Sequence, residues 1–180
     1  MLYSARCTSP FADGEVEFNE NKTDPPSRAY LKLWEFFTIK GKAPQKGERV
    51  LDLGSSPGGW TWVLDQLGCE VLSVDKAPLA ANLKISQRTR FINESAFALD
   101  PQTIGKVDWL FSDIICYPER LLELVEKWRP FARCFVCTIK FQGPTDFAAI
   151  EKFRTIPGAT IQHLHCNKHE LTWSLVVPSR

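Results

Sequence analysis

A chain of 180 residues with 44% hydrophobic and 24% charged side chains suits one globular domain that buries roughly 70% of its unfolded surface, which argues against disorder and against a two-domain layout. No run of ~18 apolar residues occurs, and residues 1–10 (MLYSARCTSP) lack the apolar stretch of a secretory signal, so a cytoplasmic location is expected, with neither export nor membrane insertion. A net charge of +1 excludes a strongly basic nucleic-acid coat protein while allowing a local basic patch, and six cysteines in a cytoplasmic chain read as reduced thiols.

The charge is unevenly spread. Residues 1–21 carry Arg6 against Asp13, Glu15, Glu17 and Glu20, whereas residues 22–49 carry Lys22, Arg28, Lys32, Lys40, Lys42, Lys46 and Arg49 against only Asp24, Glu35 and Glu48. A basic segment of this kind is a candidate polyanion contact, although a solvated lysine-rich surface has the same composition. Pro10, Gly14, Pro25 and Pro26 predict an irregular lead-in over residues 1–26. Ser27 is then placed to cap a helix over 27–39, with Tyr30, Leu33, Trp34 and Phe37 as its apolar stripe and Arg28, Lys32 and Glu35 on the other face.

Beyond Gly47, short apolar runs alternate with helical periods. Strands are predicted over 49–53, 70–75, 89–92, 107–112, 134–139, 160–165 and 171–177, and helices over 60–67, 119–127 and 145–153. The βαβα order predicts an α/β fold with a mostly parallel sheet, helices on both faces and ligands at the strand carboxyl ends. The last two strands have no helix between them and predict an antiparallel C-terminal hairpin.

Between the first strand and the next helix stands Asp52-Leu53-Gly54-Ser55-Ser56-Pro57-Gly58-Gly59-Trp60. Its glycines allow positive φ and a close approach of backbone to a ligand. The turn has no Gly-Lys-Ser/Thr for a P-loop, and its GxxxGG spacing is not the GxGxxG of a dinucleotide turn. Asp75, ending the second strand, can accept hydrogen bonds from the ribose hydroxyls of an adenosine-type ligand. A tight turn followed by a helix-capping Asp is the plain alternative, and the flanking strands favour the nucleoside site.

DLGSSPGGW resembles the S-adenosylmethionine motif DLGxxPGGW of FtsJ-type RNA ribose 2′-O-methyltransferases. SPGGWTWVL followed by SVDKAPL, and SRAYLKLWE upstream, are more similar still to the RlmM-like branch, which methylates a ribose in large-subunit ribosomal RNA. The likeness runs from about Pro26 onward, so residues 27–180 are read as the catalytic domain. It implies a Rossmann-like methyltransferase with S-adenosyl-L-methionine as cofactor and S-adenosyl-L-homocysteine as product. RNA, ribosomal RNA in particular, is the implied partner, with no membrane; the oligomeric state stays open, a monomer being slightly favoured. The cofactor contacts implied are Ser27, Gly54, Ser56, Pro57, Gly58, Gly59, Trp60, Asp75, Ser95 and Asp113. Relatives often hold the adenine amino group with an Asp after the third strand. Here the segment reads Asn93-Glu94-Ser95-Ala96-Phe97, so Ser95 takes that position, and Glu94 or the backbone does the work or affinity falls.

The same family carries a Lys-Asp-Lys-Glu tetrad, and the resemblance places it at Lys32, Asp113, Lys140 and Glu170. Asp113 and Lys140 also lie at carboxyl ends of apolar strands, where an open α/β sheet puts its chemistry. A ribose hydroxyl is a poor nucleophile until it loses its proton. Lys140 is therefore the candidate base, Asp113 its orienting partner, Lys32 the cation that stabilises the developing alkoxide, and Glu170 the group that positions Lys32. Methylation of another acceptor, and a non-catalytic RNA- or nucleoside-binding module with the same fold, are the rival readings.

Cys134 and Cys137, with His163, His165, Cys166 and His169, suggest zinc or a dithiol only superficially. Residues three apart on a strand point to opposite faces, so the two thiols cannot chelate one ion, and no metal is predicted. Most of the rings belong to the core, while Tyr117 and Phe141 fall on loops at the functional rim and are candidates for base stacking. RNA affinity is expected from the basic 22–49 segment, Lys40, Lys42 and Lys46 above all, or from a partner protein, with Lys84, Arg88 and Arg90 as the second candidates.

Overall fold

The computed structural model describes Phe11, residues 15–142 and residues 147–177. Most of the expected lead-in (1–10 and 12–14) and the expected start of the last helix at 145 lie outside those residues. The helices are α1 (Tyr30–Lys40), α2 (Gly59–Gln66), α3 (Pro101–Ile104), α4 (Pro118–Trp128) and α5 (Phe147–Thr155). The strands are β1 (Arg49–Leu53), β2 (Glu70–Asp75), β3 (Thr89–Asn93), β4 (Val107–Ser112), β5 (Ala132–Lys140), β6 (Ala159–Gln162) and β7 (Glu170–Leu175).

The seven strands form one sheet in the order β3-β2-β1-β4-β5-β7-β6. β1 to β5 are mutually parallel, and β7 lies antiparallel between β5 and β6. The expected hairpin is therefore present, with its second strand inserted against β5. Chain order reverses between β1 and β4, which opens a crevice at their carboxyl ends, where Leu53 gives way to Gly54 and Ser112 to Asp113.

Strand alternation splits the core in two. One face packs Val50, Val71, Trp109, Phe111, Cys134 and Val136 against α1 and α2; the other packs Leu51, Leu53, Leu110, Phe135, Cys137 and Ile139 against α4 and α5. β5 thus sends Cys134 and Cys137 into different cores, as the period of two requires, and both are fully buried. No helix among the described residues is long and apolar enough to cross a membrane.

Two local expectations are corrected, and one short helix is added. α1 begins at Tyr30 with Ala29 as its N-cap and no side-chain cap, while Ser27 Oγ is buried without a hydrogen-bond partner. Glu35, assigned to the polar face, is 2% exposed. It lies beneath the β6–β7 connection, and its two carboxylate oxygens accept the backbone N–H groups of His165 (2.6 Å) and Cys166 (2.8 Å). α1 is thus covered by that connection as well as by the sheet, and Leu31 and Phe36 are buried while Trp34 and Phe37 are only partly so. Finally, α3 was not foreseen: Asp100 caps it through the Gln102 N–H (2.9 Å), and Pro101 occupies its first turn.

Glu35 supplies the acceptors for two amides that point into the protein. Glu35→Ala leaves both donors unsatisfied and should lower unfolding free energy by about 2–4 kcal/mol in urea titrations, and Glu35→Gln by less because one acceptor oxygen survives. A loss under about 1 kcal/mol for the alanine variant would show that water satisfies the connection.

Candidate active site

The site grows out of the turn after β1. Gly54 has φ 75° and Gly58 φ 114°, conformations that disfavour a side chain. These glycines bring parts of the protein itself close together. A Cβ at position 54 would stand 2.9 Å from Ile114 Cα, and one at position 59 would stand 2.7 Å from Ser27 Oγ and 3.3 Å from Tyr30 N. At position 58 it would run into the Leu83 side chain.

Of the residues the sequence singles out, Gly54, Ser56, Pro57, Asp75, Ser95, Asp113 and Lys140 line one cavity of about 530 Å³ at the carboxyl edge of the sheet. Ser27, Gly58, Gly59 and Trp60 are not in its wall. Trp60 is 3% exposed, donates its indole N–H to Ala29 O (2.9 Å) and meets Phe111 edge-on. Its job is to fasten the start of α2 to the segment entering α1. Asp75 accepts the Ser56 N–H (3.0 Å) on one carboxylate oxygen and the Ala77 N–H (2.9 Å) on the other. Each oxygen retains a lone pair for another donor. Ser95, Ala96 and Phe97 form the wall beyond β3, where the Arg120 guanidinium lies 3.9 Å over the Phe97 ring. Glu94 is exposed and takes no part in the wall.

Lys32, Asp113, Lys140 and Glu170 come together at one end of this cavity. Asp113 Oδ1 lies 3.3 Å from Lys32 Nζ and 2.9 Å from Lys140 Nζ, so two ammonium groups share one carboxylate. Lys140 Nζ also donates to the Asp113 carbonyl (2.6 Å), and Lys32 Nζ forms its second ion pair with Glu170 Oε1. Each of the four side chains is less than a fifth exposed. The sheet register explains the convergence: Lys140 and Glu170 are directly opposed on β5 and β7.

A fifth member escaped the sequence reading. Thr138 Oγ1 donates to Asp113 Oδ1 at 2.5 Å. Thr138 lies two residues before Lys140 on the same strand face, so the period of two was the signal that pointed to it.

The basic segment divides. Lys32 reaches the site, but Lys40 donates to Thr160 Oγ1 (2.9 Å), Lys42 to Val177 O, and Lys46 packs beside Gly68. These three lysines surround the amino ends of the parallel strands, the pole opposite the cavity. The loop between β4 and α4 instead carries exposed apolar side chains, Ile115 at 76% in the cavity wall and Tyr117 at 59% two residues on.

The profile of the FtsJ-like methyltransferases matches residues 25–146, from just before α1 through β5. The chain belongs to the FtsJ-like methyltransferase family. A ribosomal RNA large subunit methyltransferase M of Alkalilimnicola ehrlichii is 39% identical over 109 residues, covering 57% of this chain and 30% of the relative. Its counterpart in Halorhodospira halophila is 35% identical over 120 residues, covering 64% and 35%. The chain therefore spans about a third of the length of these curated relatives. Among solved structures, an rRNA methylase from Streptococcus thermophilus gives a TM-score of 0.60 at 17% identity, covering 83% of this chain and 96% of that one. The magnesium protoporphyrin IX methyltransferase of Synechocystis PCC 6803 with bound SAM gives 0.59 at 15%, covering 82% and 78%. These likenesses show the Rossmann-like methyltransferase fold.

The FtsJ-like motif opens on Asp52, which is fully buried under the turn. Oδ2 accepts the Thr61 hydroxyl (2.6 Å), which lies 2.9 Å from Ser73 Oγ, while Oδ1 has no partner among the described residues. Burial above all, with the charges of Asp113 and Asp75 adding to it, pushes the Asp52 carboxyl up from 3.8 to about 7, against the pull of the Thr61 hydrogen bond. An acid whose pKa is raised by folding holds its proton more tightly in the folded state. Its contribution therefore falls as pH rises from about 4 through about 7 and is level above that. In urea titrations Asp52→Asn should remove most of the decline in stability between pH 5 and 8. It should also stabilise the protein at pH 8, by at most about 4 kcal/mol at ~1.36 kcal/mol per pKa unit. Parallel pH profiles for the two proteins would show that Asp52 is ionised in the fold.

Proposed function

We propose that this protein transfers a methyl group from S-adenosyl-L-methionine to a ribose 2′-hydroxyl of RNA, with large-subunit ribosomal RNA as the substrate class. The observation that carries the reading is the convergence of Lys32, Lys140 and Glu170 around Asp113 at the end of a cavity large enough for a nucleoside cofactor. Amine or carboxylate acceptors would not require two lysines around the accepting atom. The name carried by the relatives from Alkalilimnicola and Halorhodospira supports RNA as the substrate.

The residues present fit the cofactor. Asp75 offers a free lone pair on each oxygen to a pair of ribose hydroxyls, Gly54, Ser56 and Pro57 form the floor beside it, and Ser95 with Phe97 walls the end suited to an adenine. The cofactor supplies an already activated methyl on sulfur, so the protein needs only a base, a counter-charge and alignment. The Lys140 ammonium first gives a proton to solvent; its neutral amine then takes the hydroxyl proton, and the ammonium of Lys32 faces the oxygen as negative charge develops on it. Asp113 fixes both nitrogens, Thr138 fixes Asp113, and Glu170 keeps Lys32 from leaving. Holding the acceptor oxygen, methyl and sulfur in line supplies the larger share of the acceleration.

Incubation with cofactor labelled on its methyl group and total RNA, followed by nuclease digestion, should place the label in 2′-O-methyl nucleotides. Label in protein, or in no macromolecule, would refute the reading. Lys140→Ala should lower methyl transfer by at least about a hundredfold while cofactor affinity changes by no more than a few fold. Retained turnover would remove Lys140 from the role of base.

A further inference from the structure

The β6–β7 connection, residues 163–169, carries His163, His165, Lys168 and His169, all exposed. It is nevertheless held firmly. Leu164 is buried, Glu35 takes the amides of His165 and Cys166, and Asn167 donates to Thr172 Oγ1 (3.0 Å). Because β7 begins at Glu170, this connection stands directly beside the tetrad. Arg28 stands four residues before Lys32 and one before Ala29, which belongs to the cavity wall. Arg28 and Lys22 line a surface depression with Tyr30 and Glu20.

Two of these side chains already hold carboxylates. Glu15 Oε1 lies 2.6 Å from His165 Nε2, and Glu20 Oε1 lies 2.6 Å from Arg28 Nη2. Both carboxylates belong to the acidic segment that precedes α1. Between them Phe18 packs on Trp34 at 5.8 Å, and just after them the Asn21 N–H donates to the Tyr30 hydroxyl (2.8 Å). The segment preceding α1 thus lays spaced carboxylates on two members of a track of basic side chains that lead into Lys32 and Glu170. The lysines that composition favoured for this task, Lys40, Lys42 and Lys46, are at the far pole.

We propose that Arg28, His165 and Lys168 carry the phosphates of the RNA strand that flank the acceptor ribose, and that Glu15 and Glu20 occupy the same track until RNA displaces them. The inference rests on the proposed function, since it is the reading of the tetrad that makes RNA the polyanion. An imidazole N–H donates to a phosphate oxygen whether or not the ring is charged, and a guanidinium does so in bidentate fashion.

The two halves of the track have opposite signs, and so do the effects of neutralising them. With a fluorescein-labelled 20-nucleotide single-stranded RNA of mixed sequence, followed by anisotropy, the Arg28→Gln/His165→Gln/Lys168→Gln variant should bind about tenfold more weakly. Its log Kd should depend on log[salt] with a slope shallower by roughly 1 to 2, the share of two or three phosphates. Glu15→Gln/Glu20→Gln should bind several-fold more tightly, and Lys40→Gln/Lys42→Gln/Lys46→Gln should bind as the unmodified protein does. Cofactor affinity measured by calorimetry should be the same for all. Unchanged RNA affinity in the first variant, or weaker binding in the second, overturns the track while leaving the methyltransfer reading intact. An unmodified protein that binds no RNA overturns both.

Discussion

Two ammonium groups on one carboxylate is the constraint around which the site is organised. Lys32 and Lys140 both lie within 3.3 Å of Asp113 Oδ1, mostly removed from water, where their mutual repulsion is not screened as it is at the surface. One carboxylate does not balance two cations, and Glu170 supplies the second negative charge. The result is a neutral set of four whose members come from α1, the loop after β4, the end of β5 and the start of β7. Removing any carboxylate would leave an uncompensated charge in a partly buried place, which costs more than a lost surface ion pair. Every packing decision that fixes the angle of α1 against the sheet and the register of β7 against β5 therefore serves this one balance.

How far the sequence discloses such an arrangement depends on whether a residue's role follows from local period or from what packs over it. The strands, the parallel order and the C-terminal hairpin were legible because alternation along a strand and glycine-marked turns are local signals. The convergence of Lys32, Asp113, Lys140 and Glu170 was signalled by the likeness of their surrounding motifs to a known family, and for Asp113 and Lys140 also by their place at the carboxyl ends of apolar strands. Lys32 and Lys40 belong alike to the basic segment, yet an 11-residue helix carries one to the site and the other to the opposite pole. Glu35 read as solvent-facing because nothing in the period of α1 tells that a connection 130 residues later will settle on it. The glycine turn shows the same limit: its residues were legible as a close approach of backbone, but not that Ile114, Ser27 and Tyr30 pack against it.

The cysteines illustrate the opposite case, in which geometry inferred from sequence sufficed. Cys134 and Cys137 sit in separate cores, and burial pushes both thiols up, away from the thiolate that metal binding or redox exchange requires. Cys69 and Cys116 are likewise pushed up, to about 12 and about 11, by burial. They behave as small apolar residues that fill space near the ends of strands.

The placement of β7 has a consequence for the order in which the protein becomes competent. β5 has only β4 as a neighbour until a strand that begins thirty residues after its end docks against it, and β6, made first, has no place in the sheet before that docking. The strand that closes the sheet is also the one whose first residue is Glu170. A chain folded as far as β5 would present an open, apolar edge and would hold Lys32 and Lys140 against Asp113 alone. Covering the edge and neutralising the site are one event, so the sheet completes its architecture and its electrostatics in the same step.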